Sequence, residues 1–351
     1  MNIAMFFLKS APGKHLSQVF LNYFFRKEHY DANVDDALLR RTYGDQAMNR
    51  YSHSLVFTLL AAVASSLVAV ADAQTTIEKI RKTNTITIGY RESSIPFAYL
   101  DDAKNPIGYS LDICAQLVEG IKRELKLPKL IVNLVPVQAA ERIPFVTNGK
   151  IDLECGNTTA TAERKTKAAF TMPIFIAGAA TLARVMPNTA SLGDFRGKQI
   201  IVAAGTTGEK VLSEADKAGY NIKSLIVKSN ADAFIALKEA KADGWITDDV
   251  LLASFRATAD KPADFVLLEK RHTIEPLAIM MRLNDPAFEA LIDKEMIRLV
   301  TEEKLQALYK KWFTSPIAPK GINLALPPSR MLREYFRFPT KSVSNVDIIL
   351  L

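Results

Sequence analysis

Residues 86–155 read ITIGYRESSIPFAYLDDAKNPIGYSLDICAQLVEGIKRELKLPKLIVNLVPVQAAERIPFVTNGKIDLEC, and the spacing of their apolar residues decides the fold. ITIGYR (86–91) is a β-rich run. SLDICAQLVEGIKREL (110–125) places Leu111, Cys114, Leu117, Val118 and Ile121 on one side of a helix, with Ser110 as its predicted N-cap and Asp112 in its first turn. LIVNLVPV (130–137) is a second strand, AERIPFVTNG (140–149) a short helix ended by Gly149, and IDLEC (151–155) a third strand. The β-α-β-α-β order predicts a parallel sheet covered on both faces.

Working outward, a short amphipathic helix is expected at 76–82. Beyond the apolar run FTMPIFIAGAATLARV (170–185) the alternation starts again. Strands are predicted at 199–204, 224–229, 243–247 and 264–269. Helices are predicted from about 207, at 230–242 with Asn230 as N-cap, and at 248–259. EPLAIMMRL (275–283) is extended, and helices follow at 285–300, 301–313 and 328–336. The two apolar extended segments near 178 and 280 bracket the second unit and read as two crossings between lobes. The predicted fold class is therefore α/β: two doubly wound α/β lobes joined by two hinge strands, with 74–179 and 280–351 in lobe 1 and 180–279 in lobe 2.

Composition narrows the function. Of 351 residues, 48% are hydrophobic and 24% charged, the profile of a folded globular chain. The net charge of +7 is spread without a basic block, which argues against nucleic acid as the main partner and suits a small anionic ligand. Two cysteines exclude disulfide-scaffold and cysteine-rich zinc classes. Cys114 and Cys155 are read either as a disulfide or as two buried thiols. His272 is the only histidine after residue 73, so neither a histidine metal site nor a Ser-His-Asp triad is expected, and no cofactor is implied.

Residues 48–73, MNRYSHSLVFTLLAAVASSLVAVADA, have a positive start, an apolar centre and an A-x-A end. They are expected to be a signal peptide cleaved after Ala73, with residues 1–47 not part of the native protein. No cysteine stands at that site for lipid attachment, so the exported chain is expected in a periplasm. No run of 20 apolar residues follows residue 74, and none predicts a membrane span there.

Loops after strands are where open α/β sheets bind ligands. They carry Arg91, Glu92, Ser93, Ser94, Arg142, Asn157, Thr158, Thr159 and Arg164 in the first unit. In the second unit Gly205-Thr206-Thr207, Asn230 and Asp248-Asp249 each open a helix. Guanidinium forks suit carboxylates, a helix start with hydroxyls suits an anion, and an acid facing the cleft suits an ammonium. Taken singly, each reads more simply as a surface ion pair or an N-cap. Together they describe a site for a zwitterion carrying one extra negative group, and no paired-carboxylate acid–base arrangement is visible.

GYRESSIPFAYLDD (89–102), NPIGYSLDICAQLV (105–118), ERIPFVTNGKIDLECGNTTATAERK (141–165), IIVAAGTTGE (200–209), ITDDVLLA (246–253) and LYKKWF (308–313) occur in a fixed order. With these motifs the chain from about 76 to 336 resembles the periplasmic amino-acid-binding proteins of ABC importers, solute-binding protein family 3. It is most similar to their glutamate/aspartate-binding branch. The resemblance implies the type II periplasmic binding fold, closing on one amino acid, and a monomer that delivers it to importer permease subunits. It also implies roles. Arg164, the Thr159 N–H and the Thr207 hydroxyl hold the α-carboxylate, while Asp248 and the Asn157 carbonyl hold the ammonium. Arg91 and Arg142 grip a side-chain carboxylate.

The sequence departs from that branch at three places. Asn157 stands where serine is usual, Ala139 near a usual small hydroxyl, and Asn230 where histidine is usual. L-glutamate and L-aspartate are the implied ligands, with glutamine or asparagine left open by these changes. Two further readings share the scaffold. One is a dehydratase of cyclic acids, with Glu92 or Glu163 as the acid or base. The other is a sensor domain feeding a receptor.

Overall fold

The computed structural model describes residues 74–187 and 189–339. The expected signal peptide and the segment 1–47 lie outside the described residues.

In the first lobe, α1 (Thr76–Thr83) leads into β1 (Thr85–Tyr90), and a small three-stranded sheet follows: β2 (Ser93–Ser94), β3 (Ala98–Leu100) and β4 (Pro106–Ile107). Then come α2 (Tyr109–Leu125), β5 (Ile131–Pro136), α3 (Arg142–Thr147), β6 (Leu153–Glu154), α4 (Ala162–Lys165) and β7 (Ala168–Phe170). The crossing strand β8 (Phe175–Ala177) passes through Gly178 into β9 (Ala179–Arg184). The second lobe continues with β10 (Gln199–Ala203), α5 (Thr207–Lys217), β11 (Lys223–Val227), α6 (Asn230–Lys238), β12 (Gly244–Asp248), α7 (Asp249–Thr258) and β13 (Phe265–Leu267). The chain returns through β14 (Glu275–Leu277) to β15 (Met280–Arg282), and closes with α8 (Pro286–Thr301), α9 (Lys304–Phe313) and α10 (Arg330–Arg337).

The larger sheets have the orders β5-β1-β6-β15-β7 and β11-β10-β12-β9-β13, and β8 pairs antiparallel with β14 between them. Each larger sheet has an apolar cluster on each face. The sheets are not wholly parallel as expected. β1 runs parallel to β5 and β6, and β10 to β11 and β12, but β15 and β9 run antiparallel to their neighbours. The crossings explain this. The parallel strands carry the chain toward the cleft, whereas β9 and β15 start at a crossing and must run away from it. Coverage is also less complete than expected: β5 is an edge strand, and Ile131, Val132 and Leu134 are exposed.

Two predicted caps move. Gly108 occupies the N-cap of α2, which frees the Ser110 hydroxyl to donate to the Gly156 carbonyl at 2.7 Å. Ser229 caps α6 by accepting from the Asp232 N–H, so Asn230 is the first helical residue and its side chain is free for other work. Asp112 accepts from Trp312 Nε1 and Lys311 Nζ, both at 2.7 Å, which pins α9 to α2. Behind that contact Phe97, Tyr109, Phe175, Tyr309 and Phe313 form one buried aromatic group, with Tyr309 and Phe313 stacked at 4.4 Å. It packs the crossing strand β8 against the last helices of the first lobe, so the hinge rests on a rigid base.

Cys114 of α2 and Cys155, just after β6, are disulfide-bonded, which settles the choice left open by the sequence. The bond anchors the loop that begins at Gly156. That loop then runs beside the returning strand, with Ala160 N–H donating to the Pro276 carbonyl and Ala278 N–H to that of Thr158.

Candidate functional site

The loop after β6 and the starts of α5, α6 and α7 meet between the lobes. Arg91, Arg142, Asn157, Thr159, Asn230 and Asp248 are all buried there, Arg164 is at the edge of burial, and Thr207 is half-buried.

Arg142, the first residue of α3, donates Nη1 to Thr158 Oγ1 at 2.9 Å and Nη2 to the Gly205 carbonyl at 3.1 Å. Arg164 of α4 donates Nη1 to the Thr159 carbonyl and Nη2 to the same Gly205 carbonyl, both at 3.0 Å. Two guanidinium groups of one lobe thus converge on one carbonyl of the other. Gly205 has φ +74, and a Cβ there would lie 2.8 Å from the Ala140 Cα, so this close approach requires glycine. Arg91 lies beside Gly156 and Glu154. Burial first, and then the neighbouring Arg142, pull Arg91 down to about 10 and Arg164 down to about 9. Both keep their charge at neutral pH.

Acids oppose these cations. Glu154 of β6 accepts from Thr158 Oγ1 at 2.6 Å, in a chain Arg142–Thr158–Glu154. Glu275 of β14 accepts from Thr159 Oγ1 at 2.7 Å, Thr207 Oγ1 at 2.9 Å and Thr273 Oγ1 at 2.7 Å. Asp248 is the N-cap of α7 by position but makes no bond to its helix; its Oδ2 accepts from Asn157 Nδ2. Burial, and next the charge of Glu275, push its carboxyl up to about 8. Asp249 instead holds the Gly178 N–H and pairs with Arg271.

Asn230 Nδ2 donates to Ser94 Oγ at 3.2 Å, another bond between the lobes. Among the described residues, buried polar atoms with no hydrogen-bond partner include Arg142 Nε, Glu154 Oε1, Asn157 Oδ1 and Asn230 Oδ1, all in this cleft. A buried polar atom without a partner is costly, and four belong to residues gathered between the lobes.

Three residues here were not singled out from the sequence: Glu154, Glu275 and Thr273. The signal that could have found the two acids was a charge within an apolar extended run: Glu154 beside Asp152 in IDLEC, and Glu275 alone in EPLAIMM. The acids proposed for the dehydratase reading are elsewhere: Glu92 is exposed, and Glu163 is exposed and paired with Lys167. Among the described residues no cluster of metal-ligating side chains occurs, and no helix is long and apolar enough to cross a membrane.

A sequence model of the bacterial extracellular solute-binding proteins, family 3, matches residues 86–315. The chain is 39% identical over 301 residues to an L-glutamate/L-aspartate-binding protein of Pseudomonas aeruginosa, covering 84% of this chain and 99% of that one. It is 36% identical over 294 residues to a glutamate/aspartate import solute-binding protein of Salmonella typhimurium, covering 83% and 97%. Among solved structures, the ancestral amino acid-binding protein AncCDT-1, a precursor of cyclohexadienyl dehydratase, superposes with a TM-score of 0.59. It shares 25% identity, with 68% of this chain and all of that one covered.

Proposed function

The chain belongs to the bacterial extracellular solute-binding proteins of family 3, and from that premise we propose that it captures L-glutamate or L-aspartate by lobe closure and delivers it to an ABC permease. The observation that carries this reading is the buried set Arg91, Arg142 and Arg164, facing Asp248 across the cleft. Arg142 Nε is buried without a hydrogen-bond partner, and a second carboxylate on the ligand supplies the acceptor that a neutral side chain lacks.

Arg164, the Thr159 N–H and the start of α5 take the α-carboxylate. Asp248 and the Asn157 Oδ1 atom take the ammonium, and Arg91 and Arg142 take the distal carboxylate. Asn230 closes that end through Ser94. The lobes comprise 74–179 with 280–351, and 180–279. The chain is exported on residues 48–73, is cleaved after Ala73 and acts as a monomer in the periplasm. Contacts from both lobes favour the closed form by the difference in ligand affinity between the two forms, and the permease reads that form.

Calorimetric titration of residues 74–351, stripped of carried-over amino acid by unfolding and refolding, tests this. L-glutamate and L-aspartate should bind tightly and a neutral amino acid weakly. Equal binding of L-glutamine or of a neutral side chain would overturn the acidic preference.

A further inference from the structure

Glu275 is a hinge carboxylate that touches both lobes. It is the first residue of β14, the returning hinge strand, and is buried. Its Oε2 accepts from Thr159 Oγ1, on the ligand loop of the first lobe, and from Thr207 Oγ1, on the first residue of α5 in the second lobe. Its Oε1 accepts from Thr273 Oγ1, which in turn accepts from the Ala179 N–H at 2.8 Å, where the outgoing crossing enters the second lobe. Both oxygens are thus acceptors, and both crossings are tied to the same group.

A hydroxyl has one hydrogen. The hydroxyl hydrogens of Thr159 and Thr207 are committed to Glu275, so these residues offer an α-carboxylate their backbone N–H groups instead. The Thr207 N–H, at the start of a helix, has no partner within that helix and suits this task.

We propose that Glu275 is a positioning residue, a hinge carboxylate held by one threonine of each lobe. Closing the lobes completes its set of donors and fixes both threonines for the ligand. β14 pairs with the other crossing strand, Glu275 opposite Ala177, so Glu275 stays with the hinge: the Thr207 bond breaks when the body of the second lobe swings away, whereas the Thr273 bond, two residues along the same segment, stays. Glu275 therefore biases the lobes toward closure on its own, and the ligand adds to that bias. A glutamine there keeps the shape but turns one acceptor into a donor that faces a hydroxyl. The inference rests on the reading of lobe closure around an amino acid, but its first test needs no ligand.

Spin labels on K129C and D216C, exposed positions on different lobes, report the interlobe distance by electron–electron double resonance. Cys114 and Cys155 are bonded to each other, so the introduced thiols take the label. With no amino acid added, E275Q should shift the distance distribution toward the open form. T207V should do the same, and the double variant should go no further than either single one. In calorimetry, each single variant should raise the Kd for L-glutamate on the order of tenfold, as expected for a hydrogen bond to a charged acceptor, and the double variant by the same factor. Distance distributions unchanged in both single variants would overturn the proposal, as would strictly additive losses. If E275Q does not fold, T207V alone decides by the same distance measurement. A wild-type chain that binds no acidic amino acid would count against the proposed function, and the ligand-free distances would still judge Glu275.

Discussion

Asn157 Nδ2 donates to Asp248 Oδ2 across 2.9 Å, joining the ligand loop of one lobe to the start of α7 in the other. An aspartate at that position ordinarily caps its helix, yet this one makes no bond to its helix. Its neighbour Asn157 keeps Oδ1 buried and unpartnered beside it. A carboxylate and an amide oxygen, side by side and buried, are the acceptors an ammonium group requires.

This pair sets a pH dependence. Asp248 faces Glu275, Asp249, Arg142 and Asn157, and burial together with Glu275 raises its carboxyl to about 8. Below that pH the free protein must lose a proton before Asp248 can hold an ammonium. The affinity for L-glutamate should therefore rise between pH 6 and pH 8 by more than about tenfold and level off above, since the ionised share of a carboxyl well below its midpoint grows about tenfold with each pH step of one. Without ligand the sign is the reverse of the usual carboxylate case. The folded form holds a proton that the unfolded form loses near pH 4, so Asp248 costs stability as pH rises from there to about 8. Calorimetry across this range checks the first point. In D248N the dependence should vanish and binding should weaken.

The three arginines should not be equivalent. Arg142 reaches Thr158 and, through it, Glu154, whereas Arg164 reaches the Thr159 carbonyl. Truncating one partner of a buried charge pair costs about 2–5 kcal/mol. R142A should raise the Kd for L-glutamate at least about 30-fold while changing that for L-glutamine much less. R164A should weaken both, because both ligands carry an α-carboxylate. Titrations of the two variants with the two ligands check the division, and equal losses in R142A would break it.

Much of this was legible in the chain. Helical spacing in 110–125 placed α2, and alternation with loops placed β1, β5, β6 and the second lobe. The eight residues named from the sequence as candidate ligand contacts lie between the lobes, and their binding roles are proposals. The strand directions of β9 and β15 were not legible, because an apolar run shows burial but not the direction in which a strand enters its sheet. Glu154 and Glu275 were missed for a related reason. Their work is to hold threonines and balance arginines. For Glu275 that appears only when residues 68 and 116 apart in sequence come into contact. Ser229 and Asn230 compete for one cap, and only the backbone decides which side chain is released.

The disulfide should be a stability element with a local effect on the site. Cys114 and Cys155 are 41 residues apart, and in the chain-entropy account closing such a loop stabilises the fold by about 4 kcal/mol. Urea unfolding with and without a thiol reductant should show a midpoint shift to lower urea on reduction with little change in slope. The bond also anchors the start of the loop that carries Asn157 and Thr159, so C114S should weaken L-glutamate binding more than a destabilising core change elsewhere. Phe234→Leu, in the second lobe against Trp245 and Phe255, supplies that comparison.

Asn230 offers the sharpest test of which end of the cleft takes the distal carboxylate. Its Nδ2 donates to Ser94 Oγ, close in sequence to Arg91, and its Oδ1 is buried without a partner. N230D replaces the amide by an acid of nearly the same shape. A new negative charge there meets the distal carboxylate of L-glutamate but faces a neutral amide in L-glutamine, and like charges in a buried site cost several kcal/mol. N230D should therefore lose L-glutamate affinity by at least about tenfold relative to any loss for L-glutamine, and the ratio should shrink as pH falls and the new acid is protonated. N230A, which removes only one hydrogen bond, should cost both ligands on the order of fivefold. Equal losses for the two ligands in N230D, across pH 5 to 8, would place the distal group elsewhere in the cleft.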